Sequence, residues 1–118
     1  MAIKSGVVSQ DGKGPIGRFY AGAPGHVNNP DDCELVGLGP LPLGVYQMGT
    51  PIDDPEVGLF AIPLTMTQGD PLGRSGFLWH GDNASKPPET SSRGCPISSR
   101  STREEGAADA DQLLTVTP

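Results

Sequence analysis

Glycine and proline interrupt this chain so often that long regular elements have little room to form. Its 118 residues include 17 Gly and 13 Pro, spread along the whole length rather than gathered in one tail. Proline removes a backbone donor and fixes φ, while glycine raises the entropic cost of any regular element. Between them survive short apolar runs, the pattern of a mainly β, loop-rich domain. At this length the chain reads as one domain over residues 1–118, with a real but modest core.

The runs can be placed individually. "AIKSGVVSQ" and "PIGRFYAG" flank the turn-prone "DGKG", which predicts a β-hairpin over residues 2–22. "APGHVNNPDDCE" reads as a loop and "GPLPLGVYQMGTP" as a short strand ending at Gly49-Thr50-Pro51. "VGLFAIPLTMTQ" alternates imperfectly, and its Pro63 predicts an edge or bulged strand. "SGFLWHGD" is a continuous apolar run, a buried strand with His80 at its end. In "SSRSTREEG", Ser101 and Glu104 have capping-box spacing and Gly106 reads as a stop, which predicts the one short helix. "QLLTVTP" closes the chain as a strand, and the polar loop "NASKPPETSSRG" is long for so small a domain.

The net charge of −6 offers no basic block for phosphates, which argues against a nucleic-acid partner. The charge is uneven, however. Arg74, Lys86, Arg93, Arg100 and Arg103 are five of the eight cations, and only Asp82 and Glu89 oppose them within that stretch. Surface scatter explains this as well as an anionic substrate or a thiolate does. No run reaches transmembrane length, and "MAIKSGVVSQDG" lacks an apolar signal core. The expectation is synthesis in the cytoplasm without a signal peptide.

One histidine and one cysteine stand fifteen positions apart, each beside a glycine, in "WHGD" and "SSRGCP". Gly94 permits a sharp turn before Cys95, and the polar flanks are unlike those of a core cysteine. The amides of the following helix, with Arg93, Arg100 and Arg103, would favour a thiolate at Cys95. His80, at a strand end, is a rigid base that could take the thiol proton. Asp82 either orients the imidazole or caps the turn. Zinc would draw on Cys33, His80, Asp82 and Cys95, but no C-x-x-C or H-x-x-x-H spacing supports it, so neither metal nor cofactor is expected. A Cys33–Cys95 disulfide is disfavoured in a reducing compartment. His26 reads as a loop residue near Asp31 and Asp32.

His80-Gly81 followed by Ser92-Arg93-Gly94-Cys95 resembles the H-G … S-x-G-C signature of the YkuD-type L,D-transpeptidases. The chain is similar above all to their short relatives, the peptidoglycan-targeting effectors of type VI secretion and phage-like settings. "NNP", "GPLPLGVYQMG", "GRSGFLWHGD", "SSRGC" and "SRSTRE" carry the resemblance in order. It implies a β-sandwich or barrel with one short helix after the catalytic cysteine. It also implies a thioester mechanism on tetrapeptide stems, with Cys95 as nucleophile and His80 as base. Backbone N–H groups at Gly94 and Cys95 would hold the oxyanion, with Ser92, Gly81 and Asp82 in support. Arg74, Arg93 and Arg100 would meet stem carboxylates. The implied partners are peptidoglycan stem peptides, an immunity protein and a secretion or phage carrier. The implied site of action is the periplasm or cell wall, reached by a non-Sec route as an antibacterial toxin.

Two residues depart from the family pattern. Arg93 stands where the larger enzymes usually carry His, and Pro96 where Ile or Val is preferred. Proline has no N–H, so an oxyanion donor at that position is lost. A non-catalytic cell-wall-binding or phage structural protein on the same fold is the competing expectation.

Overall fold

The computed structural model describes all 118 residues. Asp11, Gly12 and Lys13 turn the chain between β1 (Val7–Gln10) and β2 (Gly14–Arg18), the hairpin that the Asp-Gly stretch predicts. The main sheet is built around β5 (Gly58–Gly69), a strand of 12 residues. Residues 44–54 run back along one edge of it, first as β3 (Gly44–Met48) and then as β4 (Ile52–Asp54). On its other edge lies β6 (Phe77–Trp79), and β7 (Leu113–Val116) flanks β3.

Pro63 therefore lies inside the sheet, with strands on both sides, and not on an edge as its lack of an N–H suggests. The reason is local. Its carbonyl accepts from Gly49 N–H at 2.8 Å, so its nitrogen faces the bend between β3 and β4, where no strand requires a donor. The expected bulge is present nearby. Ile52 pairs with Ala61 and Asp54 with Gly58, and Phe60 takes up the extra residue with φ 55°.

Isolated bridges curl these strands into a half-barrel. Ala2 pairs with both Val7 and Thr117, and Ile97 pairs with both Tyr20 and His80. A path of backbone hydrogen bonds thus runs from β6 through β5, β3 and β7 to the first residues, through the hairpin, and back by Ile97 to His80. The segment after Cys95 is the seam that closes it. Inside sit Ile3, Leu41, Tyr46, Ile62, Trp79 and Val116, all essentially fully buried, with the Phe77 ring edge-on to Tyr46.

The helix α1 (Arg100–Ala107) follows the seam, as expected after the cysteine, but its ends differ from the sequence reading. Ser99, not Ser101, is the cap, accepting the N–H of Thr102. Gly106 lies within the helix instead of stopping it. A Cβ there would sit 2.6 Å from the Trp79 ring, so tertiary contact rather than termination requires the glycine. No helix is long and apolar enough to cross a membrane.

Candidate active site

His80 follows directly on β6 and pairs in parallel with Ile97: its N–H bonds the Pro96 carbonyl and its own carbonyl accepts from Ser98, both at 3.1 Å. Extending that register by two residues sets Leu78 opposite Cys95. Side chains alternate along a strand. His80 and Leu78 accordingly share one face of the strand, whereas Cys95 lies in the turn beside it with its side chain packed against the core that holds Phe77 and Trp79. Backbone bonding holds His80 beside Pro96, the neighbour of Cys95, and no hydrogen bond joins thiol and imidazole. The sulfur accepts the N–H of Leu78 at 3.4 Å, and the imidazole Nδ1 lies 2.8 Å from the Gly81 carbonyl. A carbonyl only accepts, so Nδ1 carries the proton and Nε2 holds the lone pair.

The turn before Cys95 is over-determined. The Ser92 hydroxyl donates to the Cys95 carbonyl at 2.7 Å and accepts the N–H groups of Gly94 at 3.0 Å and Gly22 at 2.9 Å. Gly94 has φ 137°, and a Cβ on it would meet Arg74 Nη2 at 2.4 Å. These contacts revise the expected oxyanion site. Gly94 N–H is engaged by Ser92 and Pro96 has none, so Cys95 N–H is the donor left in that turn.

The arginines divide into two kinds. Arg74 is buried and directed inward: Nη1 donates to the carbonyls of Cys33 and Pro40, Nη2 to those of Gly39 and Arg93, at 2.7 to 3.3 Å. Its guanidinium also lies over Phe77, 5.2 Å from the ring centre. This is a clamp on the chain's own carbonyls, not the substrate-facing cation expected. Arg103 is its counterpart beside Gly81, buried and bonded to the carbonyls of Leu59, Phe60 and Ser98. Arg100 pairs loosely with Glu104 at 3.7 Å and stacks over Phe60, whereas the Arg93 side chain is exposed and makes no ion pair.

Burial dominates the electrostatics of the pair. It pushes the Cys95 thiol up, against the smaller opposing effects of Leu78 N–H and the Arg74 charge. Burial also pulls His80 down, and Arg103 adds to this, while the Gly81 bond and the Asp82 and Asp54 charges oppose it. Both directions favour the uncharged forms, thiol and imidazole. Burial thus works against the thiolate expected from α1 and the arginines: α1 begins only at Arg100, and Arg103 is engaged elsewhere.

Asp82 caps the loop instead of orienting the imidazole. Its carboxylate accepts from Tyr20 Oη at 2.7 Å and from Glu89 N–H at 3.3 Å, and Ser91 N–H donates to the same phenol oxygen. Gly81, through its carbonyl, does the orienting. Both cysteines are free thiols, and Cys33 is buried with its sulfur 3.4 Å from the Leu41 carbonyl. His26 pairs with Asp32 at 2.8 Å, away from the site.

Two clefts lie nearby, and Cys95 lines neither. One of about 340 Å3 is lined by His80, Gly81, Asp82 and the turn at Pro55–Gly58. A larger groove of about 690 Å3 is lined by Asp54, Pro63, Thr65, Phe77 and Leu78. Sequence reasoning missed Leu78 and Tyr20. Strand alternation back from His80 would have found Leu78, whereas nothing local signals Tyr20, which lies 62 positions from its partner Asp82. No protein-family model, curated protein or solved structure matches this chain.

Proposed function

We propose that this protein is a cysteine-dependent L,D-transpeptidase or L,D-carboxypeptidase acting on peptidoglycan tetrapeptide stems. The observation that supports it is the backbone bond from His80 N–H to the carbonyl of Pro96, which holds the strand end with the base beside the residue that follows Cys95. Cys95 Sγ attacks the carbonyl at the L-centre of diaminopimelate while its proton passes to His80 Nε2. The C–N bond to the terminal D-alanine then breaks as Nε2 returns that proton to the leaving amine. Water, a free D-amino acid or another stem's amine opens the thioester. Because burial favours both uncharged forms, His80 acts as a general base during attack and not as half of a preformed ion pair. Thiol–imidazole contact tightens on substrate binding, as catalytic hydrogen bonds commonly do. Cys95 N–H is the oxyanion donor of the turn.

The compartment and carrier in this reading rest on the sequence resemblance: delivery to the periplasm as a type VI secretion or phage-borne toxin, with an immunity protein as cognate partner. A second reading, a non-catalytic wall-binding or phage structural protein, draws support from the missing thiol–imidazole bond. The deciding experiment incubates the protein with purified tetrapeptide muropeptides and follows D-alanine release by mass spectrometry. Release by the wild type and none by Cys95→Ala is the expected result. A wild type that neither releases D-alanine nor carries an adduct on Cys95 leaves the second reading.

A further inference from the structure

Leu78 lies between two prolines. Its partner on β5 is Pro63, and on the other side the register sets it opposite Cys95, followed by Pro96. Around His80 the parallel pattern is complete: its N–H bonds Pro96 O and its carbonyl accepts from Ser98. Two residues earlier, the same pattern would send Leu78 N–H to Gly94 O and bring the N–H of residue 96 to Leu78 O. Neither bond forms. Gly94 O accepts from Leu41 at 3.0 Å, Leu78 N–H goes to the Cys95 sulfur, and Pro96 has no N–H.

The N–H and C=O of one strand residue project toward the same edge. The Leu78 carbonyl therefore points to the same side as the bond to Cys95 Sγ, away from β5, and no loop, turn or side-chain donor bonds to it. Strand carbonyls are obligatory acceptors, and leaving one unanswered away from water costs about 1–3 kcal/mol. Leu78 also lines the groove of about 690 Å3, a volume suited to a peptide segment.

We propose that the Leu78 carbonyl is a substrate acceptor: it takes the N–H of a backbone amide flanking the carbonyl that Cys95 attacks. Pro96 keeps that acceptor open by withholding the donor that would otherwise complete the ladder. The ligand class is a peptide with an unsubstituted amide at this position, and esters or N-alkylated peptides are selected against. The inference rests on the acyl-transfer reading for its substrate, but not for the acceptor itself.

The test uses the Cys95→Ala protein, so that binding is measured without turnover. Calorimetry compares a stem tetrapeptide with analogues in which each backbone amide in turn is replaced by an ester. One ester is expected to weaken binding about threefold to tenfold, the scale of a single net hydrogen bond. The added substitution Pro96→Ala, which supplies an N–H to Leu78, is expected to abolish that penalty. A second measurement needs no change at position 96: the 13C shift of the labelled Leu78 carbonyl moves downfield on titration with the amide peptide and stays put with the ester. An unmoved carbonyl, an equal ester penalty in both backgrounds, or failure of every peptide to bind overturns the proposal. Wild-type protein that shows the carbonyl shift but forms no Cys95 adduct instead overturns the enzymatic reading and leaves the acceptor standing.

Discussion

Ser92 donates its hydroxyl hydrogen to the carbonyl of Cys95 at 2.7 Å, and the same oxygen accepts from Gly22 and Gly94. One buried side chain thus holds three backbone groups of two segments 70 positions apart. Ser92→Ala leaves two N–H groups and a carbonyl unanswered. A loss of about 2–4 kcal/mol is expected, since each orphaned buried group costs roughly 1–3 kcal/mol and the three relax together. Urea unfolding checks this: the midpoint falls while the m-value stays constant.

Arg74 clamps four carbonyls, so its replacement is expected to act on stability before it acts on substrate affinity. Arg74→Met should cost at least about 3 kcal/mol, with Arg74→Lys recovering only part, because an ammonium cannot reproduce the planar fork. A substrate-binding arginine would behave otherwise, raising KM with the melting temperature unchanged. Paired thermal unfolding and kinetics on the two variants distinguish these patterns.

The His80 imidazole is held neutral by burial, so the unfolded chain takes up this proton more readily than the folded one. Stability contributed here is present above the ordinary histidine pKa of about 6.5 and is lost as pH falls from there toward the lowered folded value. Melting temperature measured against pH should decline below about 6.5 in the wild type. In His80→Asn, whose amide keeps a donor toward the Gly81 carbonyl, that part of the decline should be missing. An identical profile in both proteins would contradict it.

Burial raises the Cys95 thiol, so its thiolate fraction at neutral pH is below that of a free cysteine. Alkylation by iodoacetamide, assigned to Cys95 by peptide mapping, is expected to be slow at pH 7. It should climb steadily through the ordinary thiol range of about 8.5 before levelling. A rate plateau already established below neutral pH would reveal a preformed thiolate–imidazolium pair.

Much of the local structure was legible in the residues themselves. The hairpin around Asp11-Gly12-Lys13, the buried strand that delivers His80 and the helix after Cys95 follow from turn chemistry, apolar runs and serine capping. These depend on dihedral preferences and periodicity within a few residues. The sequence also singled out His80 and Cys95, by type and by their glycine neighbours.

What the tertiary structure alone decided is the identity of each polar group's partner. Pro63 lies mid-sheet because its nitrogen faces the bend at Gly49, and Gly106 continues a helix because the Trp79 ring lies against it. Arg74 faces carbonyls, Asp82 faces Tyr20, and Leu78 keeps an open carbonyl between two prolines. Each outcome is set by groups that are remote in sequence and meet only when the half-barrel closes. Side-chain chemistry states what a residue can bond, whereas burial and strand register determine what it does bond.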